Sequence, residues 1–499
     1  MTHQAIKNSS IVFFFGVIGA LAGYGTRIYL SHSLTLDDFG LLYSALAIVG
    51  IVNIFKDLGT NAALVRFIPE FIVKKKNGKV KQAFYSSLLI QILIVGAATI
   101  VVFVFADAVS ISVFGGAHAA TLLKILILSA LFSIIFVATQ STLQGMQKMK
   151  LYSVVEPFRV LFALGIMVLL IGFGVAGAAL GYTIAAALTS VVFFVLLTKQ
   201  FPEILGRNKI SAAMTKSLLA FGFVFMAGSF ATYIIQYADT IVLTFVRPLS
   251  DVGYYQAALS TSQMLWMFVT PLAAVLFPLV AELYASKKLN ELSSTLRTFS
   301  TVAIFLILPL SIIIFSFPEI VLNIFFGPSF LPAAGALRIL SVGAVFFSLF
   351  FMFQTTLLGI GKPGTNTRVV FYMALINIPA NIIFAYFFGI EGAAVVSTLS
   401  YFLGAVLTYM YIRRYLNARI PVVKMTKIFM SGVITAAFIY LVKAPIHPHA
   451  YLEAVIVLVP AFIIYSALII VTKGVERSDL EKLRDNGIPI PDIFYRVIR

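Results

Sequence analysis

Fourteen stretches of this chain, each 20 to 31 residues long, are apolar and carry few charges or none. A helix rises 1.5 Å per residue, so about 20 residues cover the roughly 30 Å of a bilayer's hydrocarbon core. A soluble fold cannot hide so many such runs. The chain is 61% hydrophobic and 11% charged, where a soluble domain is roughly half apolar and a quarter charged. Inside a bilayer every backbone polar group must be satisfied by the chain itself, which leaves helices or closed barrels. The runs are longer than the roughly ten-residue strands of a barrel and lack their alternation. The expected fold is therefore an all-α polytopic membrane protein of about 14 transmembrane helices. They lie near 9–30, 41–68, 83–106, 121–145, 152–173, 176–198, 216–246, 252–280, 298–317, 333–358, 368–388, 391–412, 423–443 and 451–472. The first run, Ser9 to Leu30, has no small-residue cleavage pattern and is followed by many more spans, so it reads as a retained helix.

The charges say which way the helices run. The formal net charge is +17, and it sits in alternate loops. One set holds Lys74–Lys76, Lys79 and Lys81, then Lys148 and Lys150, then Lys199, Arg207, Lys209 and Lys216. It continues through Lys287, Lys288, Arg297, Lys362, Arg368, Arg413, Arg414, Arg419, Lys424, Lys427 and the C-terminal tail. The intervening loops are nearly bare of basic residues and carry Asp37, Asp38, Asp107, Asp251, Glu319 and Glu391. The positive-inside rule makes the basic loops cytoplasmic and puts both termini inside. With the charge explained as a topology signal, nucleic acid is not an expected partner. The absence of cysteine excludes disulfides and thiolate chemistry.

The chain also repeats itself. Asp38-Phe-Gly-Leu-Leu-Tyr-Ser-Ala-Leu46 matches Asp251-Val-Gly-Tyr-Tyr-Gln-Ala-Ala-Leu259 at an offset of 213. Gln140-Ser-Thr-Leu-Gln-Gly145 matches Gln354-Thr-Thr-Leu-Leu-Gly359 at 214, as Lys124 matches Arg338. Gly174-Val-Ala-Gly-Ala-Ala179 matches Gly389-Ile-Glu-Gly-Ala-Ala394 at 215. Several matches in one order at nearly one offset define two copies of a six-helix unit. Six is even, so the copies are parallel repeats, a design that places a transport site between them. The expected organisation is an N-terminal lobe at 1–205, a second lobe at 206–415, helices 13 and 14 at 416–475, and a cytoplasmic tail at 476–499.

Asp57-Leu-Gly-Thr-Asn-Ala-Ala-Leu-Val-Arg-Phe-Ile-Pro-Glu70, Ala238-Asp-Thr-Ile-Val-Leu243 and Val252-Gly-Tyr-Tyr-Gln-Ala257, with the 6+6+2 helix pattern, resemble the polysaccharide-export flippases of the MOP superfamily, the Wzx-type O-antigen group. The resemblance covers essentially the whole chain. It implies two lobes around a central cavity that alternate between inward-open and outward-open states in the cell membrane. It implies as cargo an oligosaccharide linked to a polyprenyl or dolichyl (pyro)phosphate, and as partners membrane lipids, a coupling ion (H+ or Na+) and polysaccharide-assembly proteins. No cofactor, metal or catalytic group is implied.

Charges within a span are costly and mark function by default. Arg27 is the only charge in helix 1 and Asp239 the only one in the run Leu218 to Val246 of helix 7. The repeat aligns Tyr24-Gly-Thr-Arg27 with Tyr237-Ala-Asp-Thr240, giving the two charges neighbouring places in equivalent helices. A guanidinium matches phosphate oxygens as a fork, so the candidate cavity residues are Arg27, Asp239, Tyr24 and Tyr237. Lys56 and Asp57 join them, beside a potential break at Gly59. The bland alternatives are snorkelling for Arg27, a structural hydrogen bond for Asp239 and a buried pair for Lys56 or Asp57. Glu156 and Arg159 read as a local i, i+3 salt bridge, Arg66 as an interfacial anchor, and Lys124 and Arg338 as anchors of the fold. The histidines, His3, His32, His118, His447 and His449, all lie away from the middle of any span.

No Walker-type phosphate loop occurs; Gly361-Lys362 is followed by Pro363. The competing function is an ion-coupled multidrug extruder of the related MATE type, which has 12 core helices and favours small cations. Helices 13 and 14 and the basic candidates favour an anionic lipid instead. A membrane polymerase, ligase or glycosyltransferase would need a sizeable outer loop of acids, bases or metal ligands, and the outer loops here are short.

Overall fold

The structure, a computed structural model, describes residues 2–56, 58–116, 118–205, 210–416, 421–442 and 451–485. Those residues form α-helices and short 3-10 turns, with no strand among them. The helices are α1 (Thr2–Ser33), α2 (Leu36–Phe55), α3 (Thr60–Val73), α4 (Asn77–Phe114), α5 (His118–Gly145), α6 (Met149–Leu170), α7 (Gly174–Gln200), α8 (Ala212–Val246) and α9 (Leu249–Met264). They continue as α10 (Thr270–Ala285), α11 (Leu289–Ser316), α12 (Pro318–Phe325), α13 (Ala334–Gly359), α14 (Pro363–Leu416), α15 (Val422–Val442), α16 (Tyr451–Thr472) and α17 (Arg477–Asp485). Over the described residues every expected span falls on helix. Two spans are broken: the second between α2 and α3, where Leu58 and Gly59 take φ of 43° and 73°, and the eighth between α9 and α10, bent by 45°.

The repeat reappears in the backbone. Met149–Gln200 and Pro363–Leu416 run 52 and 54 residues, about 80 Å of helix, too long for one crossing. Each folds back at a glycine, Gly174 (φ 62°, ψ −143°) and Gly389 (φ 60°, ψ −140°), a region of backbone space open essentially to glycine alone. Three residues on, Gly177 and Gly392 press against the carbonyls of Leu170 and Phe384, where a Cβ has no room. The Gly-x-x-Gly match is thus the geometry of one hairpin made twice.

The basic loops share a turn as well. Lys75, Gln147, Lys287 and Gly361 are all left-handed, with φ of 52°, 58°, 57° and 73°. After each, a lysine amide reaches back five residues: Lys76 to Phe71 (2.8 Å), Lys148 to Leu143, Lys288 to Leu283 and Lys362 to Leu357 (2.9 Å each). This is the helix-ending Schellman pattern, and the next helix starts at once. At the acidic ends, Lys124 pairs with Asp107 (3.0 Å) and its repeat mate Arg338 with Glu319 (2.9 Å). Both pairs are partly exposed, so they fix loop position more than they add stability.

The chain divides into two compact units, residues 3–256 and 257–499. In the first, α5 is the hub, packed on α3, α4, α6 and α7, while α8 lies on α2, α3 and α4. By packing α8 thus joins the first unit, although the sequence repeat makes it the opening helix of the second copy. At one end of this unit Gly40 of α2 meets Leu249 and Gly253 of α9, and Gly253 meets Leu36 and Gly40. In the second unit α13 is the hub, packed on α10, α11 and α14, with α15 on α11 and α16. There the carboxylate of Asp479 on α17 accepts from Thr298 (3.3 Å), Lys424 (2.9 Å) and the Glu476 amide (3.1 Å), pinning α17 to α11 and α15.

Candidate functional site

Within the first unit, five helices bring two guanidiniums together with four tyrosines. Thr35 caps α2, its hydroxyl accepting from the Asp38 amide (3.2 Å) and donating to the Asp38 carboxylate (2.8 Å), a reciprocal arrangement that fixes where the helix begins. Two turns later the Tyr43 ring lies under the Arg27 guanidinium of α1, 5.3 Å from its centroid. On α7, Tyr182 lies in the electrostatic field of both Arg27 and Arg159. On α6, one turn apart, Arg159 Nε donates to Glu156 Oε2 at 3.1 Å and a second bond joins Nη2 to Oε1. On α8, Tyr233 and Tyr237 stack with centroids 4.4 Å apart, and the Tyr233 hydroxyl donates to the Ala47 carbonyl (2.8 Å). Tyr237 in turn lies close enough to Arg159 to interact with it.

Tyr43 is 7% exposed. Tyr182 and Arg27 both stand near its hydroxyl and interact with it, but among the described residues neither completes a hydrogen bond of good distance and angle. A buried hydroxyl without a partner costs stability, and this one sits beside a guanidinium that meets no carboxylate within 4.0 Å among the described residues. One open planar donor fork, that of Arg27, with phenol hydroxyls and aromatic faces around it, suits a ligand carrying phosphate oxygens and hydroxyl-rich rings. The one carboxylate of the cluster, Glu156, is already engaged by Arg159.

The residues singled out in the sequence fall in different places. Arg27 and Tyr237 lie in the cluster, and Tyr24 is buried one turn before Arg27 on α1. Asp239 is 3% exposed and accepts from the Tyr255 hydroxyl of α9, while Gln256 Nε2 donates to the adjacent Thr240 hydroxyl at 2.6 Å. Asp239 thus ties α8 to α9. Lys56 is buried at the end of α2, its Nζ donating to Ser133 Oγ of α5 at 2.9 Å. Asp57 lies outside the described residues. The Glu156–Arg159 salt bridge forms as expected, and Arg66, read as an interfacial anchor, pairs with Glu70 one turn on (3.6 Å). Tyr43, Tyr182 and Tyr233 were not singled out, and Arg159 was assigned only its local partner. Arg159 carried a usable signal, a guanidinium inside a span; an aromatic in an apolar run carries none.

Residues 5–284, more than half of the chain, match the family described as polysaccharide biosynthesis protein. The chain belongs to that family. Residues 225–387 also match the MatE family. Among curated proteins the chain is similar to an uncharacterized membrane protein of Methanocaldococcus jannaschii, 25% identical over 88% of this chain and 90% of the relative. It is similar to the probable low-salt glycan biosynthesis flippase Agl15 of Haloferax volcanii, 20% identical over 96% of this chain and 98% of the relative. Among solved structures it shares the fold of the lipid II flippase MurJ in an inward closed conformation, with a TM-score of 0.76 and 16% identity over 93% of this chain and 98% of that one. An inward-facing MATE-family multidrug transporter of the MOP superfamily gives a TM-score of 0.63 at 16% identity, over 82% and 94%. This member of the polysaccharide biosynthesis protein family is therefore a multi-pass, all-α membrane protein of the MOP superfamily fold.

Proposed function

We propose that this protein is a flippase that carries a lipid-linked oligosaccharide, on a polyprenyl or dolichyl (pyro)phosphate, across the cytoplasmic membrane. The two repeats, 1–205 and 206–415, alternate access; helices 13 and 14 (416–475) and the tail (476–499) lie outside the exchange. Both termini and the lysine-rich turns face the cytoplasm. The observation that carries the reading is the Arg27–Tyr43–Tyr182–Arg159 cluster, in which Arg27 offers a guanidinium fork to a phosphate, the tyrosines offer aromatic faces to sugar rings, and Arg159 adds positive charge while paired with Glu156. Family membership and the flippase names of Agl15 and MurJ support it. No phosphate-binding loop is present, so the driving force comes from an H+ or Na+ gradient, the cargo's own gradient or a partner of the assembly machinery.

The test is flipping in proteoliposomes that hold a lipid-linked oligosaccharide, scored by accessibility of the sugar to an impermeant reagent. Wild type flips; Arg27→Lys is clearly slower and Arg27→Ala slower still, because a point charge cannot replace a planar fork. Full activity of the alanine variant would exclude Arg27 from the site. The MatE match over 225–387 supports one other reading, extrusion of small cations. Efflux of a cationic dye with no flipping of the lipid would establish that reading and overturn ours.

A further inference from the structure

A second cationic site lies in the second unit, at the basic ends of the hairpin that α14 forms. Lys362 Nζ stands over the Tyr415 ring, 5.3 Å from its centroid, and the Arg368 guanidinium over the Tyr411 ring at 6.0 Å. The two rings stack on each other, 6.5 Å apart and 19° from parallel. Thr365 joins the layers: its hydroxyl bonds the Tyr415 hydroxyl (3.0 Å) and accepts from Arg368 Nη2 (3.4 Å). Two cations are thus held side by side on an aromatic platform, with a hydroxyl between them.

Among the described residues no carboxylate pairs with them. Between Glu319 and Glu453 the sequence has one acid, Glu391. It sits just past the Gly389 turn, at the far end of the hairpin, against Gly335. Neither Lys362 nor Arg368 meets a carboxylate within 4.0 Å among the described residues. Arg368 is exposed and Lys362 half-buried, so both remain open to a ligand at the level where helix ends meet the membrane surface.

The site is also absent from the other copy of the repeat. Lys362 corresponds to Lys148, but Arg368 corresponds to Val154 at the same offset of 214, and Tyr411 and Tyr415 to Leu196 and Gln200 at 215. The shared scaffold builds its turn without the arginine and both tyrosines. A feature that the fold does not need, placed in one copy only, is explained by a ligand.

We propose that Lys362, Thr365 and Arg368, on the Tyr411–Tyr415 platform, bind the phosphate of a membrane lipid at this surface. The phosphate has two potential sources, an anionic phospholipid or the polyprenyl phosphate of a lipid-linked cargo. The site belongs to the second unit, the Arg27 cluster to the first, and the proposal does not depend on the flipping activity.

The experiment is native mass spectrometry of the purified full-length protein titrated separately with phosphatidylglycerol, polyprenyl monophosphate and phosphatidylcholine, with inorganic phosphate as competitor. Each basic side chain near an anionic lipid contributes about 1 kcal/mol, so the Lys362→Gln/Arg368→Gln double variant should bind about 30-fold more weakly. Lys287→Gln, on the equivalent type of turn in the same unit, controls for general positive charge and should bind as wild type does. Arg368→Lys should show a smaller loss than the double variant. A loss confined to phosphatidylglycerol assigns the site to phospholipid; a loss confined to polyprenyl monophosphate assigns it to cargo loading. Unchanged binding of both lipids by the double variant, at an unchanged unfolding temperature, would overturn the proposal. An equal loss in the Lys287→Gln control, or full displacement of the lipid by millimolar inorganic phosphate, would do the same.

Discussion

Replacing Tyr43 by phenylalanine separates stability from function at the Arg27 cluster. The ring stays, and with it the contact with Arg27 at 5.3 Å and the packing on Phe39, whose ring centroid is 4.8 Å away. Only the hydroxyl goes, and that hydroxyl is buried without a well-aligned hydrogen bond among the described residues. An unmet buried hydroxyl costs about 1–3 kcal/mol. Arg27 and Tyr182 stand close by and solvate it in part, so the lower end applies. Tyr43→Phe should therefore stabilise the empty protein by about 1 kcal/mol, a roughly fivefold rise in the folded-to-unfolded ratio. With a phosphate bound beside Arg27 the balance reverses. A hydrogen bond to a charged oxygen contributes about 1.5–3 kcal/mol, so the variant should hold an anionic lipid about 10- to 150-fold more weakly. Stability is read from thermal unfolding in detergent without lipid, and affinity from the lipid-linked oligosaccharide concentration that half-saturates flipping. A variant that loses stability while flipping normally would show that the hydroxyl has a structural partner and no ligand, and the reasoning would fail.

Three further outcomes follow from the fold. Gly40→Ala places a methyl against the Leu249 carbonyl and should destabilise the protein by about 1–3 kcal/mol; an unchanged unfolding temperature would show that the α2–α9 crossing can relax. Gly78→Cys adds the sole thiol of the chain, and it should react with an impermeant maleimide from the cytoplasmic side alone; labelling only from outside would invert the proposed topology. Asp479→Asn weakens the bond to Lys424 at 2.9 Å and should speed proteolytic cleavage beyond Thr472 several-fold while α11 and α15 stay intact. Cleavage at the wild-type rate would mean that apolar burial of Val475 and Leu480 alone holds α17.

What could be read from the sequence follows from which interactions leave a mark in it. Helices were legible because a bilayer imposes one requirement, unbroken apolar length, over every span. Two of the repeated motifs were legible because they are backbone geometry. Gly174 and Gly389 hold torsions that no side chain tolerates, and Gly40 and Gly253 lie where two helices touch almost backbone to backbone. Such positions admit one residue type, so they recur where the fold recurs. The break in the eighth span left no such mark. Leu265–Phe268 winds into a 3-10 turn with no glycine, and only Pro271 follows to favour a fresh helix start.

The clusters of side chains were legible only where a charge betrayed them. Arg27 stood out as the lone charge of its span, whereas Tyr43 and Tyr182 looked like any aromatic in an apolar run. Pairing by repeat position carries only part of the way. It set Arg27 beside Asp239, since their places align at neighbouring positions, but equivalent positions on two helices need not face one another. In the structure Asp239 looks along its own helix pair to Tyr255, and Arg27 looks across to α2. The same caution has a constructive side. Where two copies share a turn but differ in what decorates it, the difference is freed from the demands of the fold. Lys148 and Lys362 close the same turn with the same 2.9 Å bond, and Arg368, Tyr411 and Tyr415 exist in one copy only. Departures from an internal repeat thus locate function in a membrane protein whose apolar spans otherwise look alike.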